Sequence, residues 1–179
     1  MSIETTYLRV RPEEFTHLID DPQTVYSLII DLPRNRQGAS AHLQEQDASA
    51  RVFRIHKEWH ALHFLLTGES DLKSPSRAPP PLGNVVMGGT PTPISATYGP
   101  VRSLNTDEVR AVAEALGKVR AEELKRRFDP ARRWAFTQPK GRKGWDEEDL
   151  DLILDLYPRL VEFFTRAAEA GDMVLISSL

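Results

Sequence analysis

Hydrophobic positions recur along this chain with two periods, and each change of period marks a change of element. From Thr5 to Arg11 apolar Leu8 and Val10 alternate with Tyr7, Arg9 and Arg11, which predicts a short strand. Pro12 then opens a helix: its fixed φ suits a first turn, Glu13 and Glu14 complement the positive helix end, and Phe15, Leu18 and Ile19 form one face. Asp21-Pro22 repeats the device, with Val25, Leu28 and Ile29 at helical spacing and Pro33 as the stop. Residues 34–50 are small and polar without a sustained period and read as a surface loop.

The clearest periodic segment runs from about Arg51 to Leu66, where Ile55, Trp59, Leu62 and Leu66 share one helical face and Gly68 supplies the stop. The stretch 73–93 carries six prolines and predicts a long proline-rich loop. Asn105 with Glu108 three residues later, flanked by Leu104 and Val109, marks a helix start. That helix weakens at Gly117 and resumes over Ala121 to Phe128, and Asp129-Pro130 starts another turn toward Trp134 and Phe136. Asp146 and Asp149, between Trp145 and Leu150, announce a last helix that Pro158 should kink or divide and Gly171 should end. Met173 to Ile176 reads as a buried strand. The expectation is therefore an α+β fold in a single domain spanning 1–179, with several helices packed on a small sheet that includes the N- and C-terminal strands.

Composition narrows function mainly by exclusion. The 179 residues are 40% hydrophobic and 27% charged, which suits one globular domain and argues against disorder. A net charge of -3 gives no global attraction to nucleic acid or to an anionic membrane. The chain has no cysteine, so disulfides, thiolate metal sites and a cysteine nucleophile are excluded. No apolar run approaches the roughly 20 residues that a membrane span needs. The N-terminus lacks a basic stretch followed by an apolar one, so the expected setting is the cytoplasm.

Two clusters invite chemical readings. His56, His60 and His63 fall at spacings of four and three, which would bring imidazoles together on a helix. The segment is not a zincin motif, because Lys57 stands where that motif places its glutamate, and no metal or other cofactor is expected. Between Lys118 and Trp145 there are ten Lys or Arg against three acids, interleaved with Phe128, Trp134 and Phe136, as in single-stranded nucleic-acid grooves. Six acids follow at once between Asp146 and Asp155 and can neutralise the run, so the balance points away from nucleic acid. No phosphate-binding loop or nucleophile elbow is present, and the carboxylate pairs cluster at helix starts, where capping accounts for them.

One constellation carries a family resemblance. Lys57-x-Trp59-x-x-Leu62-His63-Phe64-x-Leu66-Thr67-Gly68 resembles a motif of the YfbM-like family, a bacterial domain of unknown function. Further matches follow in family order: Gly88-Gly89 after an apolar run, Tyr98-Gly99-Pro100-Val101-Arg102-x-Leu104 before Asp107-Glu108-Val109, and Ala167-Ala168-Glu169-Ala170-Gly171-Asp172 before the last strand. The resemblance spans nearly the whole chain. It implies a single α+β domain in bacteria, with no established activity, cofactor or partner. Of the three histidines only His63 belongs to the motif, which removes most of the case for a three-histidine metal site.

Motif and pattern together nominate a binding cleft around Trp59, His63, Thr67, Gly88, Gly89, Tyr98 and Arg102, beneath the 73–93 loop. Trp59 would form an apolar wall, His63 and Thr67 would supply hydrogen bonds, the glycines would allow close backbone approach, and Arg102 would receive an anionic group. The expected function is a non-catalytic binding or interaction domain for a small-molecule or protein partner. Two alternatives stand beside it: a small hydrolase or transferase with His63 as general base, and nucleic-acid binding through the Lys118–Lys143 run.

Overall fold

In the computed structural model, residues 4–26, 51–69, 78–128 and 145–178 are described. In chain order they form β1 (Thr5–Val10), α1 (Pro12–Asp20), α2 (Pro22–Tyr26), β2 (Val52–Ile55), α3 (Trp59–Thr67), a 3₁₀ turn (Leu82–Asn84), β3 (Thr90–Ala96), β4 (Gly99–Leu104), α4 (Thr106–Lys118), α5 (Ala121–Arg127), α6 (Glu147–Ala170) and β5 (Met173–Ser178). The five strands make one antiparallel sheet in the order β2-β1-β5-β4-β3. The two terminal strands do pair, with Thr5 opposite Ser178 and Val10 opposite Met173, and they form the middle of the sheet together with β4. An α+β single domain is thus observed.

Strand alternation assigns two faces, because successive side chains point to opposite sides. Tyr7, Phe53, Ile55, Leu104, Val174 and Ile176 lie on one face and join the main core with α3, α4 and α6. Within that core α4 packs along α6, and Phe163 and Phe164 meet Tyr7 at ring-centroid separations of 6.0 and 5.8 Å. Leu8, Val10, Ile94, Val101 and Leu175 lie on the other face, over Leu18 and Val25 of α1 and α2.

The helix boundaries follow local chemistry. The Asn105 side chain accepts hydrogen bonds from the Asp107 and Glu108 amides, and the Glu108 carboxylate accepts one from the Asn105 N–H. Asp146 and Asp149 repeat this box at α6. Gly68 and Gly171 end α3 and α6 with φ of 75° and 70°, the left-handed conformation that glycine adopts without steric cost.

Three expectations require correction. The helix predicted from about Arg51 to Leu66 is a strand followed by a shorter helix: Val52-Phe53-Arg54-Ile55 alternates with period two and pairs with β1, so Ile55 reaches the core from the sheet. Two further strands, β3 and β4, were hidden by prolines and glycines. Residues 90–93 of the expected 73–93 loop belong to β3, which tolerates Pro91 and Pro93 because it is an outer strand with a register shift between Pro91 and Ser95. Finally, α6 runs undivided through Pro158, its long apolar face burying Ile153, Tyr157, Leu160, Phe164 and Ala167 across the site of the lost hydrogen bond. The helical continuation through Leu28 and Ile29, the stop at Pro33, the 34–50 loop and the turn toward Trp134 and Phe136 lie outside the described residues.

Candidate functional site

Helix α3 is buried on nearly all sides, from Trp59 through Leu66. Just before it, Lys57 reaches the Asp149 carboxylate in the first turn of α6 at 3.4 Å. Behind it, the carbonyls of Leu65 and Leu66 receive the Arg127 guanidinium at 2.7 and 3.2 Å, so α5 caps the helix's negative end. Trp59 is 6% exposed and lies beside the His60 ring, at 5.5 Å between centroids. Its indole Nε1 is buried without a hydrogen-bond partner among the described residues. One turn on, His63 is fully buried. Thr67 donates to the His63 carbonyl at 2.7 Å and accepts from the Glu69 amide, so its hydroxyl is engaged within its own helix end.

Opposite α3, strands β1 and β4 project two polar side chains into the same core. Tyr7 donates its hydroxyl to the Val85 carbonyl at 2.8 Å. Arg102 donates from its two terminal nitrogens to the Gly88 and Val86 carbonyls at 3.0 and 3.1 Å. Together they pin the Val85–Gly89 main chain to the sheet. The glycines are there for space. A Cβ on Gly88 would stand 2.2 Å from the Asn84 side-chain oxygen and 2.4 Å from its Cα, and one on Gly89 would meet the Ser103 carbonyl at 3.0 Å. Gly89 also has φ of 93°. Gly88→Ala is therefore expected to destabilise the protein by about 2 kcal/mol, the scale of overpacking a tight core, which urea unfolding would measure.

The electrostatics follow from burial. Burial depresses the Arg102 guanidinium below its ordinary range and pushes the Tyr7 phenol well above its own, with Arg102 pulling the phenol partly back. Burial, and then the Arg102 charge, hold the His63 imidazole down at about 4. At neutral pH the ring is uncharged beside a cation. Arg102 has no carboxylate partner among the described residues; its hydrogen bonds all go to main-chain carbonyls.

Of the seven residues nominated for a cleft, the structure gathers Arg102, Gly88, Gly89 and His63 around the pinned segment, with Trp59 one turn from His63 on α3. Thr67 lies at the far end of that helix, and Tyr98 stands apart, exposed in the β3–β4 turn with its amide bonded to the Ser178 carbonyl. The three histidines do not converge. His56 precedes α3 and pairs with Glu4 at 2.8 Å, and no group of three metal-ligating side chains occurs among the described residues. In the described part of the basic run, Arg127 caps α3 and Lys118 pairs with Glu114; residues 129–143 lie outside it.

Sequence reasoning missed Tyr7 and Arg127. Tyr7 looked like the solvent side of an amphipathic strand, because Leu8 and Val10 supplied a core face; a sheet covered on both faces buries both sets. Arg127 was absorbed into a charge run, and only its distance from α3 in space shows its role.

The chain belongs to the family described as domain of unknown function DUF1877, whose profile matches residues 1–177. Among solved structures it is similar to a protein of unknown function, YfbM from Escherichia coli. The two share 18% identity and a TM-score of 0.63, with all of both chains covered, which establishes a common fold. No curated protein matches the sequence. Among the described residues no helix is long and apolar enough to cross a membrane.

Proposed function

We propose that the protein is a non-catalytic binding domain, with its cleft bounded by Trp59 of α3 on one side and the pinned Val85–Gly89 segment on the other, and with His63 buried beneath it. The observation that carries this reading is the state of His63. A general base must reach the proton it removes and needs a pKa near the working pH, whereas this ring is fully buried and held at about 4. Tyr7 and Arg102 serve as positioning groups that fix a wall built from main chain, and a rigid wall favours binding because little ordering remains to be done. The Trp59 indole N–H, with no acceptor among the described residues, is the donor this wall offers. A small-molecule ligand fits this arrangement best, in the cytoplasmic setting expected from the sequence.

A thermal-shift screen of neutral, cationic and anionic metabolites tests the reading. A ligand that binds only the folded state raises Tm by mass action. The expected result is a hit whose midpoint weakens about fivefold in Trp59→Phe, which keeps an aromatic ring but removes the N–H, as loss of one hydrogen bond of about 1 kcal/mol requires. Hydrolytic or transfer activity abolished in a folded His63→Gln variant would overturn it.

A further inference from the structure

Resting on that cleft, we infer that its ligand is a small oxyanion, a carboxylate or a phosphate, received by Arg102. Buried charges in proteins are paired, because an isolated ion taken out of water costs several kcal/mol. Arg102 breaks that rule: only 5% of it is exposed, yet no carboxylate faces it among the described residues. The Tyr7 phenol beside it remains protonated and brings no negative charge. The His63 imidazole brings none either.

Two carbonyls do not complete the guanidinium. Among the described residues its five N–H groups make two hydrogen bonds, both from the terminal nitrogens, to Gly88 and Val86. The remaining donors, the full positive charge and a planar fork suit an oxyanion, which accepts two parallel N–H bonds from such a fork. A second, independent feature points to the same chemistry. The Trp59 Nε1 is, among the described residues, a buried donor without an acceptor, and Trp59 precedes His63 by one turn of α3, with the His63 ring in turn feeling the Arg102 charge. Among the described residues Arg102 lacks an anionic partner and the Trp59 N–H lacks an acceptor, and an oxyanion supplies what each is missing. A cationic ligand would meet repulsion from Arg102 and find no acid paired with Arg102 among the described residues.

The test titrates the intact protein with sodium phosphate and, separately, with sodium acetate, against sodium chloride at matched ionic strength. Tm and the intrinsic fluorescence of Trp59, with Trp134 and Trp145 as background, are followed together. The expected result is a saturable rise in Tm with phosphate or acetate beyond the chloride control. The midpoint should weaken about fivefold in Trp59→Phe, and the response should vanish in Arg102→Lys, which keeps the charge but loses the fork. A response to one anion only identifies the ligand as phosphate-like or carboxylate-like. Responses indistinguishable from chloride overturn the inference, as does an equal response in wild type and in a folded Trp59→Phe. If Arg102→Lys fails to fold, Trp59→Phe alone decides. A neutral or cationic hit sensitive to Trp59→Phe, without an anion response, defeats the oxyanion and leaves the binding domain standing, whereas turnover lost in His63→Gln defeats the binding domain itself.

Discussion

Cutting Tyr7 back to alanine is expected to destabilise the protein by about 4–5 kcal/mol, while Tyr7→Phe costs about 1–2 kcal/mol. The ring is wholly buried among Phe53, Phe163 and Phe164, at centroid separations of 6.2, 6.0 and 5.8 Å. Its removal forfeits the transfer energy of an aromatic side chain and leaves a cavity that three neighbouring rings cannot close. The phenylalanine variant keeps all of that packing and removes one hydrogen bond, leaving the Val85 carbonyl without its donor. Equilibrium urea unfolding of both variants separates the two contributions. A Tyr7→Phe protein as stable as wild type would show that the phenol does not pin the Val85–Gly89 segment.

Acid should expose the other buried group. The wild-type protein is expected to lose about 3 kcal/mol as the pH falls from 7 to 4, and a His63→Gln variant should lack that loss. With a folded-state pKa of about 4 against 6.5 for the free side chain, the unfolded chain binds a proton through this window while the folded one does not. Stability from this group is therefore fully present above pH 6.5 and falls as the pH drops toward 4. Glu14 titrates in a different range. Burial pushes its carboxyl up, but hydrogen bonds from Arg11 and Arg51 outweigh burial and hold it at about 2, so its contribution is present above 4.5 and lost below. The interval between pH 4.5 and 6.5 thus separates His63 from Glu14, and the difference between wild type and His63→Gln there belongs to the imidazole. Parallel stability curves for wild type and His63→Gln across it would mean that the imidazole is protonated in the folded state.

How much of this was legible depends on whether the physics was local. Caps are local, and Asn105-Thr106-Asp107-Glu108 and Asp146 with Asp149 announced α4 and α6 at the positions where they begin. Strands are not. Phe53 and Ile55 look helical beside Trp59 and Leu62 until β1 is placed next to them, and Pro91 and Pro93 argue against a strand until it is known to be an outer one. The candidate site divides in the same way. His63, Arg102 and the glycine pair came from motif and residue chemistry, but their mutual arrangement came from strand register and from the turn of main chain over β4. Tyr7 could not be singled out, because its burial depends on α6, more than 140 residues further along the chain.

The place of β5 has a consequence for synthesis. Residues 173–178 lie between β1 and β4, so on the ribosome the first two strands can form only one isolated ribbon and the next two only another. Neither ribbon has a partner on its inner edge until residues 173–178 have been made. Two ribbons with open edges, held apart while residues 105–172 are made, are the kind of intermediate that pairs with neighbouring chains. The nascent protein is thus most exposed to misassembly just before its central strand arrives, and its sheet closes in a single late step.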